Sequence, residues 1–65
     1  MLGEHERARD LDQDTLDRRR RVLGDDHPQT LTSANNLARD LRALGQRQQA
    51  NELEEQIKSW QAGSA

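Results

Sequence analysis

The chain has no cysteine, phenylalanine or tyrosine, and a single proline and a single tryptophan among its 65 residues. Without thiols there are no disulfides and no thiolate chemistry, which suits a cytoplasmic setting. No apolar run approaches the roughly 18 residues of a membrane span, and Met1 to Asp10 lacks a signal-peptide pattern. No membrane partner is expected. No stretch alternates with period two, so strands are not expected either. Ser33, Ser59 and Ser64 have no His and acid partners at recognisable spacing, and no glycine-rich phosphate loop is present. Catalysis, cofactors and metal ions therefore find no support. A net charge of −2, with 34% of residues charged, favours solubility and does not point to nucleic acid.

What remains is helix punctuated by glycine. From Glu4 to Leu23, Ala8, Leu11, Thr15 and Val22 recur at helical spacing, with Leu16 and Leu23 beside them. Gly24 ends that segment. In Asp25-Asp26-His27-Pro28, the proline suits the first turn of a new helix and pushes His27 out of the α region. Asp26 or His27 would cap that helix, Asp26 being the better oxygen acceptor. A second helix over about 28–44 carries Leu31, Ala34, Leu37, Ala38, Leu41 and Leu44, and Gly45 closes it. A third, over about 47–61, carries Ala50, Leu53, Ile57 and Trp60 at 3-4-3 spacing. Residues 63–65 read as a frayed tail. The short Leu44-Gly45 turn makes the second and third helices an antiparallel hairpin.

The chain also repeats itself. A shift of 42 places Leu2-Gly3 on Leu44-Gly45, Ala8 on Ala50 and Leu11 on Leu53, with Asp10 and Asp12 on Glu52 and Glu54. The copies then diverge, as Leu16 meets Lys58 and Arg18 meets Trp60. Ala34, Ala38 and Ala50 allow helices to approach closely; a bulky residue there would force them apart.

The segment from Leu31 to Ala38, then Leu41, Leu44-Gly45 and Ala50, resembles a helix pair of the tetratricopeptide repeat. The stretch from Arg21 to Leu31, which contains Leu-Gly-Asp-Asp-His-Pro, is similar to the inter-repeat link of the kinesin-light-chain-like subgroup, whose repeats are 42 residues long. Similar arrays occur in bacterial, especially actinobacterial, signalling proteins. The chain departs from the pattern where Asp12 and Glu54 replace a large aromatic and Ala34 replaces a tryptophan. The resemblance implies an all-α fold of three antiparallel helices, about one and a half units of a right-handed superhelix. Residues 1–24 would be the second helix of a preceding repeat, and 25–62 a helix pair with a C-terminal cap. The expectation is a fragment, excised or engineered. Three repeats are normally needed for stability, so a homo-oligomer is expected, with a twin supplying the missing helix.

The resemblance further implies protein–protein interaction. The first helix of each pair lines a concave groove, which places Thr32, Asn35, Asn36, Arg39 and Arg42 on a peptide-binding face. A carboxamide donates and accepts at once and so matches a peptide bond; arginine forks suit acidic groups. The run Arg18 to Arg21 points around most of a helix and so forms no single patch, with Asp14–Arg18 and Asp17–Arg21 expected as i,i+4 pairs. Asp25-Asp26-His27 reads as a turn and not as a metal site, and Trp60 as a cap on Leu53 and Ile57.

Overall fold

The computed structural model describes residues 2–63, Leu2 by its backbone alone. Three helices follow one another: α1 (Leu2–Leu23), α2 (Pro28–Ala43) and α3 (Arg47–Gly63). No strand occurs among the described residues. Gly63 belongs to α3 and is not part of a tail; the rest of the expected tail, Ser64 and Ala65, lies outside the described residues.

The helix ends follow from local chemistry. Gly24 adopts φ 95°, a conformation costly for any residue with a Cβ, and its N–H donates to Arg20 O at 3.2 Å. Of the two expected candidates, Asp26 and His27, the N-cap of α2 is His27. Pro28 occupies the first helical turn and holds His27 extended at φ −66° and ψ 138°. That places the imidazole where Nδ1 accepts from Gln29 N at 3.1 Å, so position overrides the better capping propensity of aspartate. At the other end Leu44 is the C-cap and Gly45 takes φ 79°. Gln46 N–H donates to Leu41 O at 2.8 Å and Gly45 N–H to Arg42 O at 3.0 Å, the paired bonds of a Schellman turn.

The helix α2 is the centre of the fold. It packs on α1 and on α3, while no backbone contact joins α1 to α3. The core is Leu16 from α1; Ala34, Leu37, Ala38 and Leu41 from α2; and Ala50, Leu53 and Ile57 from α3. Ala34 and Ala50 are fully buried, which is the close approach their size permits. Trp60 and Leu31 pack against this core from its edge, so Trp60 caps it as expected.

The expected inward stripe of α1 is corrected. Leu16 is 2% exposed, but Leu11 is 66% and Val22 74% exposed. At roughly 100° per residue, Leu11 lies about 140° around the helix from Leu16, and both cannot face α2. The 42-residue echo explains the choice. It equates Ala8, Leu11 and Thr15 with Ala50, Leu53 and Ile57, the face through which α3 meets α2. Helix α1 lies on the opposite flank of α2 and meets it through a different face, with Asp12, Leu16 and Arg19 inward; of the repeat-equivalent stripe, Ala8 and Thr15 are half-buried and Leu11 is exposed.

Polar groups complete that seam. The Arg19 guanidinium donates from Nη1 to Ser33 Oγ at 2.8 Å and to Gln29 O at 2.9 Å. The Thr30 hydroxyl, fully buried, donates to Arg19 O at 3.4 Å. Charge-assisted donors to buried acceptors bind more strongly than neutral ones, so Arg19 fastens α1 to α2 where few apolar atoms are present.

Candidate partner-binding surfaces

The burial of α2 on two flanks leaves one outward stripe. Pro28, Thr32, Asn35, Arg39 and Arg42 recur at 4-3-4-3 spacing and are all exposed, and Asn36 is half-buried at the stripe's edge. The five residues expected to bind thus share one side of α2, away from the core. They are not equally available. The Thr32 hydroxyl donates to Pro28 O at 3.0 Å within the helix. The Arg42 guanidinium forms an ion pair with Glu54 and reaches Asn51 at 3.4 Å, which ties α2 to α3. Among the described residues the side chains of Asn35 and Asn36 make no such bond, and Arg39 acts only through its charge on Asp40, so these are the polar groups of the stripe with capacity to spare.

The four consecutive arginines diverge. Arg19 turns into the α1–α2 seam. Arg20 pairs with Asp25 at 2.8 Å and lies over the Trp60 ring, 4.7 Å from its centroid. Arg18 and Arg21 remain exposed. The expected Asp14–Arg18 and Asp17–Arg21 pairs do not form; Asp17 instead accepts from Gln13 Nε2 at 3.0 Å, a shorter and less mobile donor one turn away. Asp25-Asp26-His27 is a turn, and no cluster of three or more His, Cys, Asp or Glu able to hold a metal ion occurs among the described residues. No helix is long and apolar enough to cross a membrane among the described residues.

Two features were not foreseen from sequence. The first is a carboxylate pair in the α1–α2 seam. Burial, and then hydrogen bonding and repulsion from Asp12, push the Asp40 carboxyl from its ordinary 3.8 up to about 6, against the pull of Arg39 and His5. Asp40 Oδ2 is cut off from solvent and meets no donor. The residues are 28 apart in sequence and no local signal links them. The second is a cleft of about 440 Å³ between α1 and α3, on the side of α2 opposite the expected binding stripe. Leu16, Leu37, Leu41 and Leu53 line it, together with Gln46 from the α2–α3 connection and Gln49 and Gln56 from α3. The 46-49-53-56 spacing is in the sequence, but nothing in it marks glutamines as the lining of a cleft.

A model described as tetratricopeptide repeat matches residues 1–57. No match was found among curated proteins or among solved structures. The match spans all of α1 and α2 and most of α3, and agrees with glycine-ended helices that meet across alanine-lined seams. The chain belongs to the tetratricopeptide repeat family, whose helix pairs serve as protein-interaction modules.

Proposed function

We propose that the chain is a non-catalytic scaffold unit that takes a peptide on the outward stripe of α2. The observation that carries this is the unspent hydrogen-bonding capacity of Asn35, Asn36 and Arg39 on one side of a helix held from both flanks. Asn35 and Asn36 would grip the peptide main chain, and Arg39 an acidic side chain or terminal carboxylate, with Thr32 and Arg42 framing the site. A rigid α2 lowers the ordering cost of binding. In this reading residues 1–24 are the second helix of a preceding repeat and 25–62 a pair with its cap. The similarity of the Leu23–Pro28 link to that of the kinesin-light-chain-like subgroup supports placing them in that subgroup, in a cytoplasmic, bacterial-type array. The test is peptide selection from a display library on the folded chain, followed by binding to Asn36→Ala and Arg39→Ala. Each substitution should weaken the selected peptide at least fivefold without changing the molecular mass in solution. Equal binding by both variants would overturn the assignment.

A second reading, self-association, is favoured by the uncovered stripe of Leu11 and Val22. Its repeat equivalent in α3 is buried against α2, so a helix of α2 character from a second copy is the cover it suits. Sedimentation across concentration decides: dimers lost on Leu11→Asp, with helicity kept, support this reading, and monomers at every concentration remove it.

A further inference from the structure

The exposed large hydrophobic residues among those described, Leu11, Val22 and Leu23, all lie on α1. Leu11 and Val22 are eleven residues apart, close to three turns of helix. They therefore share one face, about 16 Å apart at 1.5 Å rise per residue. With Ala8, Thr15 and Arg18 they form a stripe at 3-4-3-4 spacing, the period that seats one helix lengthwise along another. Small residues beside larger apolar ones also line the buried face of α2, where Ala34 and Ala38 lie with Leu37 and Leu41. In a second copy α2 is itself held on both flanks, by α1 and by α3, so the helix of that character still open is α1.

Charge selects the pairing. Asp14 and Arg21 precede Thr15 and Val22 by one residue and edge the stripe on the flank away from α2, whereas Asp12 and Arg19 edge it on the flank that α2 covers. Asp14 and Arg21 are exposed, and neither has an ion pair or hydrogen bond among the described residues. An antiparallel twin that sets its Val22 against Leu11 also sets its Arg18 against Thr15 and its Arg21 against Asp14, and two-fold symmetry makes each contact twice. A slip of one heptad in one direction brings Asp14 against Asp14 and Arg7 against Arg21. A slip in the other direction brings Arg21 against Arg21, and a parallel twin stacks Arg18 on Arg18. One register alone covers both apolar residues and joins opposite charges. In it Arg18 lays its aliphatic stem along the seam and keeps its guanidinium in water.

We propose that α1 pairs antiparallel with α1 of a second copy, Leu11 against Val22 and Asp14 against Arg21 in each half of a two-fold seam. This rests on the self-association reading and adds to it the partner helix and the register. The seam is short, so the dimer belongs to the weak class that depends on concentration.

The test is sedimentation equilibrium of the whole chain from about 10 μM to about 2 mM, a range that brackets weak dimers. Wild type should show a monomer–dimer equilibrium. Asp14→Arg and Arg21→Asp each turn two opposite-charge contacts into two like-charge ones, and each should weaken the dimer at least about fivefold. Both side chains are exposed, so helicity by circular dichroism should not change. An equimolar mixture of the two variants should dimerise about as well as wild type, because each supplies the charge that the other lacks. Monomers at every concentration would remove both this proposal and the reading it rests on. Dimers that Leu11→Asp abolishes but neither charge reversal weakens would leave self-association standing and overturn the pairing proposed here. A mixture no tighter than its components would do the same.

Discussion

Replacing Asp40 by asparagine tests the carboxylate pair directly. In the wild-type chain the folded Asp40 holds its proton more tightly than the unfolded one, with a pKa of about 6 against 3.8. Linkage then fixes the sign. The stabilisation conferred by the protonated group is complete below pH 3.8 and is lost as pH rises through about 6. At neutral pH the ionised carboxylate sits beside Asp12 with one oxygen dehydrated and unbonded. A displacement of about two units is worth about 3 kcal/mol at 1.36 kcal/mol per unit. Asp40 is only half-buried, so solvent screening reduces this to about 1–2 kcal/mol. Asparagine has the shape of the protonated acid and carries its own donor for Asp12. Asp40→Asn should therefore be more stable than wild type at pH 7.5 by about 1–2 kcal/mol, with the advantage vanishing near pH 4. Urea denaturation followed by circular dichroism reads this as a midpoint about 1–2 M higher, given a slope near 1 kcal/mol/M for so small a chain. Taking the difference between variant and wild type at each pH cancels the other carboxylates. A difference that stays flat from pH 4 to 7.5, or a variant less stable at pH 7.5, would refute the placement of Asp40 against Asp12.

Other substitutions separate the seams. Leu16→Ala should cost about 2–4 kcal/mol and remove most of the helicity, whereas Leu11→Ala should change the stability of the monomer by less than about 0.5 kcal/mol; thermal melts compare them at one concentration. Ala34→Leu should overpack the meeting of α2 with its neighbours and cost about 1–3 kcal/mol, read as a lower denaturant midpoint. Arg20→Ala should shift Trp60 fluorescence and its quenching by iodide, with a stability loss of about 1 kcal/mol or less, because the guanidinium covers the ring from a partly exposed position.

Much of this fold is legible in the residue order because its punctuation is chemical. Gly24, Pro28 and Gly45 each impose a backbone state that ends or starts a helix whatever surrounds it, and the helices begin and end within a few residues of where these lie. The face of α1 was not legible. Periodicity says that a stripe exists, and α1 has two, one through Leu11 and Val22 and one through Leu16. Which of them is buried depends on the flank of α2 that α1 occupies, a tertiary fact absent from a helical wheel. The cap was legible only as a choice of two for a related reason: propensity ranks aspartate above histidine, but Pro28 decides which residue stands at the boundary. On the candidate surface, the stripe of α2 came from the family resemblance, carried position by position onto residues that share one side of a helix. The engagement of Arg42 by Glu54 required α3 to be in position, and the confrontation of Asp12 with Asp40 required α1 to be in register.

Since α1 and α3 touch α2 but share no backbone contact, every large contact is made between segments adjacent in the chain. Assembly needs only the closing of two tight connections, for which the entropic cost is small, and low contact order of this kind goes with folding in microseconds to milliseconds. The same arrangement makes cooperativity a nearest-neighbour affair. Either outer helix can peel away while the remaining pair keeps its own interface, and apart from the Arg20 contact with Trp60, disorder starting at one end reaches the other by passing through the middle.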